Sequence, residues 1–335
     1  MSKTIVPKGY KSALSLYETQ SVIGELKRIF EAKLCENLNL KRVSAPLFVE
    51  NTTGLNDDLN GIERAVEFDI PAAQTNAQVV HSLAKWKRLA LYKYGFEAGE
   101  GIYTNMNAIR RDEEMDNIHS IYVDQWDWEK VITKADRTTK YLQDTVTAIV
   151  DAICDTLEAL KQTHPKIDAK LERNVKFVTT QQLEDMYPDM TSKERENAIT
   201  KEYKTVFIMQ IGDKLKSGNK HDGRAPDYDD WTLNGDIMFW NETLGQAFEI
   251  SSMGIRVDAD ALKSQLAKAG CEDRMKFMYH QMLVDETLPL TIGGGIGQSR
   301  LCMLMLKKAH IGEVQVSVWD AQTKQICKDN NIELL

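Results

Sequence analysis

The sequence predicts an α+β fold in which helices flank a mixed, mostly antiparallel sheet. Apolar residues recur at steps of three and four over 10–38 and 133–163, which predicts two long helices. In the second half, strand-like segments are joined by tight turns, as TLNGDIMFW and QAFEISSMGIRV are by NETLG. Strands joined so closely pair antiparallel, because parallel neighbours need a long crossover. We expect a single domain over 1–335, with a small α/β insertion at about 165–210.

The other elements follow from local patterns. The segment KRVSAPLFVE (41–50) is extended, but Pro46 cannot donate a ladder hydrogen bond, so this strand lies at an edge or is interrupted there. Alternation predicts strands at 101–110 and 120–128. The polar run at 212–230 predicts a mobile loop or lid. The remaining predictions are helices at about 258–269, 273–285 and 298–308 and a short strand, VQVSVW, after them.

Composition and charge narrow the classes of function. The chain is 42% hydrophobic and 27% charged, as ordinary globular proteins are. Its net charge of −8 disfavours a general nucleic-acid surface, which needs a basic face. The sequence has no apolar run of about 18 residues for a membrane span and no apolar secretion signal at its start. Its 5 isolated cysteines fit a reducing compartment, so we expect a cytoplasmic protein. From the charge and the absence of a membrane span, we expect no nucleic-acid partner and no membrane partner.

The segment TIGGGIGQSR (291–300) concentrates glycine in the last part of the chain. It lacks the Lys-Ser or Lys-Thr pair of a P-loop, and Gln298 stands where the dinucleotide fingerprint needs a glycine. A turn that only joins two elements is one interpretation. The other is a flat platform on which a planar ring lies, with Arg300 reaching a phosphate or stacking on the ring. The residues of that platform are Gly293, Gly294, Gly295 and Gly297.

Acidic residues on two neighbouring strands predict a metal site. In AFEISSMGIRVD (247–258), alternation puts Glu249, Ser251 and Met253 on one face. Asp236 on the preceding strand would lie near Glu249 across the hairpin, and paired carboxylates repel each other unless a cation lies between them. Mg²⁺ fits, because it binds one or two carboxylates together with phosphate oxygens. Two solvated surface acids are the alternative.

The predicted strand at 120–128 presents polar side chains on one face. Gln125, Asp127 and the following Glu129 share that face, and acids there would suit an ammonium group. The alternative is a solvated face, which the flanking tryptophans Trp126 and Trp128 disfavour.

Two basic features have more than one interpretation. Arg256 has the chemistry of a carboxylate clamp, with a surface salt bridge as the alternative. The run HSLAKWKR (81–88) is a solvated helix face, a nucleic-acid contact or a helix with one lysine turned inward to neutralise a substrate.

Together these segments resemble the catalytic cores of class II aminoacyl-tRNA synthetases. In that family a long helix and a proline-bearing strand form the dimer interface, and 10–38 with SAPLF (44–48) have that form. The second family motif resembles AIRRDEE, with Arg110 or Arg111 as the phosphate-binding arginine. The third, a glycine-rich strand that runs into a helix, resembles GGGIGQSR with Arg300. The spacing of glutamate and arginine in FEISSMGIR is similar to that of the aspartate and asparagine branch of this class.

The resemblance is most specific to the ammonia-dependent asparagine synthetases, a class II-like family. It covers nearly the whole chain in collinear segments, which are VVHSLAKWKR, AGEGIYTNMNAIR, YVDQWDWE, HDGRAPDYDDW, LNGDI, SSMGIRVDAD and TIGGGIGQSR. This resemblance implies aspartate, ATP and ammonia as substrates, Mg²⁺ as a cofactor and a homodimer. It implies that the side-chain carboxylate of aspartate attacks the α-phosphate of ATP, giving β-aspartyl-AMP and pyrophosphate. Ammonia then attacks that mixed anhydride, giving asparagine and AMP.

The resemblance also implies a role for each candidate residue. Arg110 and Arg300 bind the phosphate and adenine, and the four glycines lie under the adenine and ribose. Glu249 and Asp236 hold Mg²⁺. The substrate aspartate is bound by Arg256 at its α-carboxylate, by Asp127 with Gln125 or Asp229 at its α-ammonium group, and by Lys87 at its reacting carboxylate, with Ser251 and Ser252 beside them. Asp57, or equally Asp58, receives ammonium and takes its proton.

Three alternatives to this function make different demands on the sequence. A tRNA-dependent ligase for aspartate or asparagine should carry an anticodon-binding β-barrel, for which the sequence shows no segment. An inactive synthetase-like paralogue that only binds an amino acid or an enzyme has no need for both the metal-site acids and the phosphate arginines. A glutamine-dependent synthetase of the common type needs a cysteine as its mature N-terminus, whereas residue 2 is Ser2 and the first cysteine, Cys35, lies in a predicted helix.

Overall fold

The structure, a computed structural model, describes residues 2–57 and 63–335, so Asp58 lies outside the described residues. Its helices are α1 (Leu16–Leu38), α2 (Ala84–Tyr94), α3 (Thr139–Thr163), α4 (Thr180–Met186), α5 (Ser192–Tyr203), α6 (Ala259–Ala269), α7 (Met278–Val284), α8 (Gln298–Met305) and α9 (Ala321–Asp329). Its strands are β1 (Leu40–Arg42), β2 (Phe48–Glu50), β3 (Glu67–Ile70), β4 (Thr75–Val79), β5 (Gly101–Ile109), β6 (Tyr122–Val131), β7 (Lys176–Thr179), β8 (Thr205–Met209), β9 (Asp229–Asn241), β10 (Gln246–Arg256) and β11 (Thr291–Gly297).

Eight of the described strands form one mixed sheet in the order β1-β5-β6-β11-β10-β9-β8-β7. The pairs at its two edges, β1 with β5 and β7 with β8, are parallel, and the pairs between them are antiparallel. This confirms the predicted α+β fold with a mostly antiparallel sheet. The segment at 165–210 contributes β7 and β8 to one edge of the sheet, with α4 and α5 between them. Its treatment as an insertion in a single domain stays a prediction.

A second sheet, in the order β2-β4-β3, lies outside the main one. Pro46 falls between β1 and β2, so the predicted interruption of 41–50 is confirmed. The predicted strand VQVSVW is wrong. That segment has no strand assignment, and the side chains of Val316 and Val318 face solvent instead of pairing at a sheet edge.

The two long helices begin later than their periodicity predicts, because side-chain caps fix their starts. Ser15 and Glu18 form a capping box, in which each side chain accepts a hydrogen bond from the other residue's backbone N–H. The hydroxyl of Thr138 accepts from the N–H of Tyr141 and starts α3. None of the described helices combines the length and the apolar character that crossing a membrane requires.

Strand β6 separates the hydrophobic core from the polar side of the sheet. Trp126 and Trp128 are fully buried in the core that α1 and α3 cover, and the ring of Phe30 packs on Trp126 with centroids 4.6 Å apart. The alternating residues Gln125 and Asp127 face the other way, into a cavity. The predicted polar face of β6 is therefore confirmed.

Candidate active site

A cavity of about 400 Å³ opens over the middle of the main sheet. Strands β6, β9, β10 and β11 form its floor, and the loops before β9 and between β5 and β6 contribute walls. Most of the sequence-predicted site residues line it together. They are Lys87, Arg110, Gln125, Asp127, Asp229, Asp236, Glu249, Ser252, Arg256, Gly294, Gly295, Gly297 and Arg300.

Three of the predicted site residues lie off this cavity. Ser251 faces away because a β-bulge between Glu249 and Ser251 shifts the alternation of β10, so that Ser252 shares the cavity with Glu249. Gly293 is covered by other side chains, and Asp57 lines a second, smaller cavity. The placement of Ser251 beside Glu249 on one face was therefore wrong.

Arg256 is held by two acids at the closed end of the cavity. It donates from Nε to Glu129 Oε1 over 2.9 Å and from Nη2 to Glu129 Oε2 over 2.7 Å, and its Nη1 donates to Asp229. Burial alone would lower the pKa of Arg256, but these two carboxylates raise it well above its usual value. A guanidinium has five N–H donors, so two remain after these contacts among the described residues. Arg256 can therefore bind a carboxylate while staying in place.

Lys87 and Asp127 form a buried ion pair beside Arg256. The ammonium group of Lys87 also donates to the carbonyl oxygen of Gly294 over 3.0 Å and lies 3.8 Å from Glu129 Oε2. Burial lowers the pKa of Lys87 despite the opposing charges of these two acids. Lys87 binds only Oδ1 of Asp127, and within the described chain the buried Oδ2 accepts no hydrogen bond. An acceptor is thus left for a donor from a ligand.

The glycines of β11 make room for the side chains of β6. A Cβ atom on Gly293 would overlap the carboxylate of Glu129 and lie 2.7 Å from Nη2 of Arg256. A Cβ atom on Gly295 would meet the side-chain amide of Gln125. Glycine is required here because acidic and amide groups cross the strand, a reason that the flat-platform prediction did not include. Gly294, Gly295 and Gly297 still line the cavity, as that prediction requires.

At the open end, Asp236 and Glu249 lie close enough to influence each other. Burial raises the pKa of Asp236 to about 6 against the attraction of Arg224, and the Glu249 charge adds to the rise. Burial would also raise the pKa of Glu249, but Arg300 and other bases outweigh it and the pKa is lowered. Among the described residues, no group of three or more metal-binding side chains is present. Two carboxylates fit Mg²⁺ that arrives with phosphate ligands.

The two predicted nucleotide arginines reach the same end of the cavity. Arg300, in the first turn of α8, donates from Nη1 to the backbone carbonyl of Glu249 over 3.0 Å. Its guanidinium lies 5.8 Å from the ring centroid of Phe248. Arg110 follows β5 and is only weakly tied to Glu113 at 4.0 Å, and its Nε has no hydrogen-bond partner among the described residues. Arg111 is exposed and lies outside the cavity lining, unlike Arg110.

Two residues that contact the predicted site residues were not among the sequence-predicted candidates. Arg224, in the segment expected to be a mobile lid, donates to Asp236 Oδ1 over 2.6 Å and also to Ser252. The signal for it was the charge pattern of HDGRAPDYDD, in which one arginine precedes several acids. Glu129 was assigned to the polar face of β6, but its role as the main support of Arg256 depends on a partner 127 residues away.

The fold that these elements build is that of class II aminoacyl-tRNA synthetases. An asparaginyl-tRNA synthetase from Entamoeba histolytica, solved in complex with asparaginyl-adenylate, aligns with a TM-score of 0.64 and 15% identity. The alignment covers 90% of this chain and 66% of that one. The corresponding enzyme from Pyrococcus horikoshii, also complexed with asparaginyl-adenylate, gives a TM-score of 0.63 at 17% identity, over 89% of this chain and 68% of that one. The chain therefore spans about two thirds of the length of these synthetases.

Sequence relatives define the family within that class. The family model for aspartate-ammonia ligase matches residues 17–331. The aspartate–ammonia ligase of Clostridium perfringens is 59% identical over 100% of both chains. That of Clostridium tetani is 58% identical over 99% of this chain and 98% of the relative. The chain belongs to the aspartate–ammonia ligase family, as its sequence predicted.

Proposed function

We propose that the chain makes L-asparagine from L-aspartate and free ammonia, using ATP and releasing AMP and pyrophosphate through β-aspartyl-AMP. The observation that carries the residue roles is the closed end of the cavity. There, two spare donors of Arg256 and the unpartnered Oδ2 of Asp127 lie in one buried cluster. A guanidinium group beside a carboxylate complements an amino acid, because the first binds the α-carboxylate and the second binds the α-ammonium group.

The aspartate is oriented by this cluster. Arg256 binds its α-carboxylate, and Asp127 with Gln125 or Asp229 accepts its α-ammonium group. Lys87 neutralises the reacting side-chain carboxylate, and its position on the carbonyl of Gly294 and on Asp127 supports this role. Ser252 lines the same cavity, whereas Ser251 lies outside the lining and has no role in the proposal.

ATP occupies the open end, with its base and ribose over Gly294, Gly295 and Gly297. Arg110 and Arg300 bind the phosphates and adenine, and the loose attachment of Arg110 to Glu113 leaves it free to turn toward them. When bound, Mg²⁺ would offset the charge that develops on the phosphates, held by Glu249 and Asp236. These two acids repel each other, and Arg224 offsets only part of that repulsion through its contact with Asp236. The remaining repulsion supports a cation between the two carboxylates.

The reaction then runs in two balanced steps. A side-chain oxygen of aspartate attacks the α-phosphorus of ATP, and the bond from that phosphorus to the bridging oxygen of pyrophosphate breaks. Ammonia attacks the acyl carbon of β-aspartyl-AMP, the bond to the AMP oxygen breaks, and one proton leaves the nitrogen. The arginines of the open end stabilise the charge of both leaving groups.

Three further proposals concern the partners and location of the chain. It works as a homodimer, as the resemblance to class II enzymes implies; it binds no nucleic acid; and it is cytoplasmic, as its isolated cysteines suggest. The acidic net charge of −8 supports the second, because a tRNA surface needs basic residues.

The test is product formation from aspartate, ATP and Mg²⁺ without tRNA, with ammonium chloride or glutamine as the nitrogen source. We expect AMP, pyrophosphate and asparagine with ammonium only. AMP that appears only after tRNA is added would assign the chain to tRNA ligation instead. No AMP under any condition would favour an inactive binding paralogue.

A further inference from the structure

Helix α5 lies on the same face of the main sheet as the substrate cavity. Its Asn197 accepts a hydrogen bond at Oδ1 from the backbone N–H of Ala247 in β10 over 2.7 Å. Ala247 also packs with Ile199 of α5 in one apolar cluster, so its side chain points toward the helix. Glu249 lies two residues further along β10, and alternate residues of a strand share a face. The helix therefore flanks the cavity beside Glu249, one of the two acids proposed to hold Mg²⁺.

Glu196 connects α5 to the loop that walls the cavity. Its Oε1 lies 3.1 Å from Nε2 of the buried His221, and the next residue of that loop, Asp222, lines the cavity. The other oxygen, Oε2, accepts a hydrogen bond from the ammonium group of Lys193 over 2.9 Å. Residues three apart lie on one face of a helix. The face of α5 that carries Lys193 and Glu196 is therefore turned toward the cavity.

Lys193 is able to change partners at little cost. Its side chain is 72% exposed, whereas that of Glu196 is buried. An exposed lysine that pairs with an acid contributes little to stability, and its long stem moves freely. If Lys193 turns away, Glu196 keeps the contact with His221, so the buried carboxylate is not left without a partner.

The charge of Lys193 already acts at the open end of the cavity. Burial would raise the pKa of Glu249, and among the bases that lower it only Arg300 acts more strongly than Lys193. Arg224 and Arg110, which line the cavity, have weaker effects on this carboxylate. Lys193 therefore adds positive potential beside the proposed metal-site acid.

A nucleotide triphosphate needs a further base at this position. Mg²⁺ held by Glu249 and Asp236 would bring phosphate oxygens of ATP with it. One Mg²⁺ offsets only part of the charge of a triphosphate, and bases beside it bind the remaining oxygens. A lysine suits the outer phosphates, because its compact charge on a flexible stem can follow them as pyrophosphate leaves.

We propose that Lys193 binds the β- and γ-phosphates of ATP and then the departing pyrophosphate, so that α5 completes the nucleotide site. This inference rests on the proposed function and deepens it by giving the leaving group a base from outside the cavity lining. Lys193 exchanges Glu196 for a phosphate oxygen when the nucleotide arrives. The α-phosphate stays with the arginines of the cavity. AMP, which lacks the outer phosphates, therefore does not depend on Lys193.

The experiment compares Lys193→Met with the unaltered protein in calorimetric titrations with Mg²⁺-pyrophosphate and, separately, with AMP. Methionine keeps the apolar stem of lysine but removes the charge. We expect Kd for pyrophosphate and KM for ATP to rise by about tenfold or more, the size expected for one charged hydrogen bond. Kd for AMP and KM for aspartate should stay unchanged, and Lys193→Arg should retain most of the affinity. Lys201→Met, which removes the same charge from an exposed position in the last turn of α5, is the matched control.

A second variant separates phosphate binding from support of the loop. Glu196→Gln keeps an oxygen for His221 but removes the charge that holds Lys193. If Lys193 acted only through Glu196, this variant would lose pyrophosphate affinity as Lys193→Met does, whereas we expect unchanged or tighter binding.

Three results would overturn the inference. They are an unchanged Kd for pyrophosphate in Lys193→Met, an equal loss for pyrophosphate and AMP, and an equal loss in Glu196→Gln. Absence of aspartate-dependent AMP formation by the unaltered protein would instead contradict the proposed function. The pyrophosphate titrations would still decide the role of Lys193, so the two proposals can fail separately.

Discussion

At the scale of single residues, Arg300 connects the glycine strand to Glu249, one of the two acids proposed to hold Mg²⁺. Its Nη1 contacts the backbone carbonyl of Glu249 and lies 3.5 Å from that residue's carboxylate. Arg300 therefore compensates the charge of Glu249 before any ligand arrives. In the proposed function, Arg300 would exchange this carboxylate for the nucleotide from the same position in the first turn of α8.

We expect Arg300→Ala to abolish adenylate formation while leaving the protein folded, because only part of its side chain is buried. Aspartate-dependent pyrophosphate exchange should fall by at least about 100-fold, as for the loss of a charge-stabilising donor. Circular dichroism and the unfolding midpoint serve as the folding control. Near-normal exchange in the variant would contradict its assigned role.

A buried histidine links stability to pH. His310 is fully buried, its Nδ1 accepts from the N–H of Gly312 over 3.0 Å, and its ring packs edge-on against Trp319. Burial lowers the pKa of His310 to about 4, so the unfolded chain binds a proton between about 6.5 and 4 that the folded chain does not. The contribution of His310 to the free energy of unfolding is therefore fully present above about pH 6.5 and is lost as the pH falls toward 4.

The expected contribution is up to about 3 kcal/mol of unfolding free energy. It is measured as the difference between urea unfolding at pH 8 and at pH 4.5. In His310→Asn, which retains an acceptor for Gly312, this pH difference should shrink by most of that amount. An equal pH dependence in both proteins would show that other groups dominate.

At the scale of elements, β11 is shaped by the strands on either side. It pairs with β6 on one side and β10 on the other, and Gly293 lies opposite Glu129 and Gly254. The side chain of Glu129 crosses the strand at Gly293 to reach Arg256. The orientation of Arg256 therefore depends on the absence of a side chain at Gly293.

Gly293→Ala should displace Glu129 and destabilise the protein by about 1–3 kcal/mol, as overpacking does. Because Arg256 would lose its orientation, KM for aspartate should rise more than KM for ATP. Thr291→Ala is the matched change in the same strand, since it removes the hydroxyl that donates to Glu129 over 2.7 Å without adding volume. Its effect should be smaller, and an equal effect of both would contradict the crowding argument.

The sequence predicts these elements well where the signal is local. The alternation of β6 and the turn between β9 and β10 depend on neighbouring residues, and both predictions are confirmed. The bulge at 249–251 and the support of Arg256 by Glu129 depend on strands far apart in the chain. The segment VQVSVW has the alternation of a strand, but it pairs with no described strand. Periodicity describes one segment and carries no information about what packs against it.

At the scale of the whole molecule, the proposed homodimer has a candidate surface. Leu47 and Phe48 lie in the motif SAPLF and are 52% and 44% exposed. Tyr17, at the start of α1, is 84% exposed. Exposed apolar residues in both segments of the family's interface agree with a second copy covering them.

We expect Leu47→Asp to shift the protein from dimer to monomer in sedimentation velocity, because it places a charge in an apolar interface. Met190→Asp is the control, since Met190 is similarly exposed at 40% but lies between α4 and α5. A monomeric unaltered protein, or a variant that stays dimeric, would contradict the proposed interface.

The pairing of β6 with β11 also has a consequence for folding. Lys130 lies opposite Ile292, so two walls of the proposed aspartate site come from segments nearly half the chain apart. Closing so long a loop costs entropy before its contacts form, and such pairings slow folding. An intermediate with only the β5–β6 hairpin has the acids but not the glycine strand that Lys87 contacts. Under the proposed residue roles, activation of aspartate would therefore require the β6–β11 pairing, the longest-range strand pairing among the described residues.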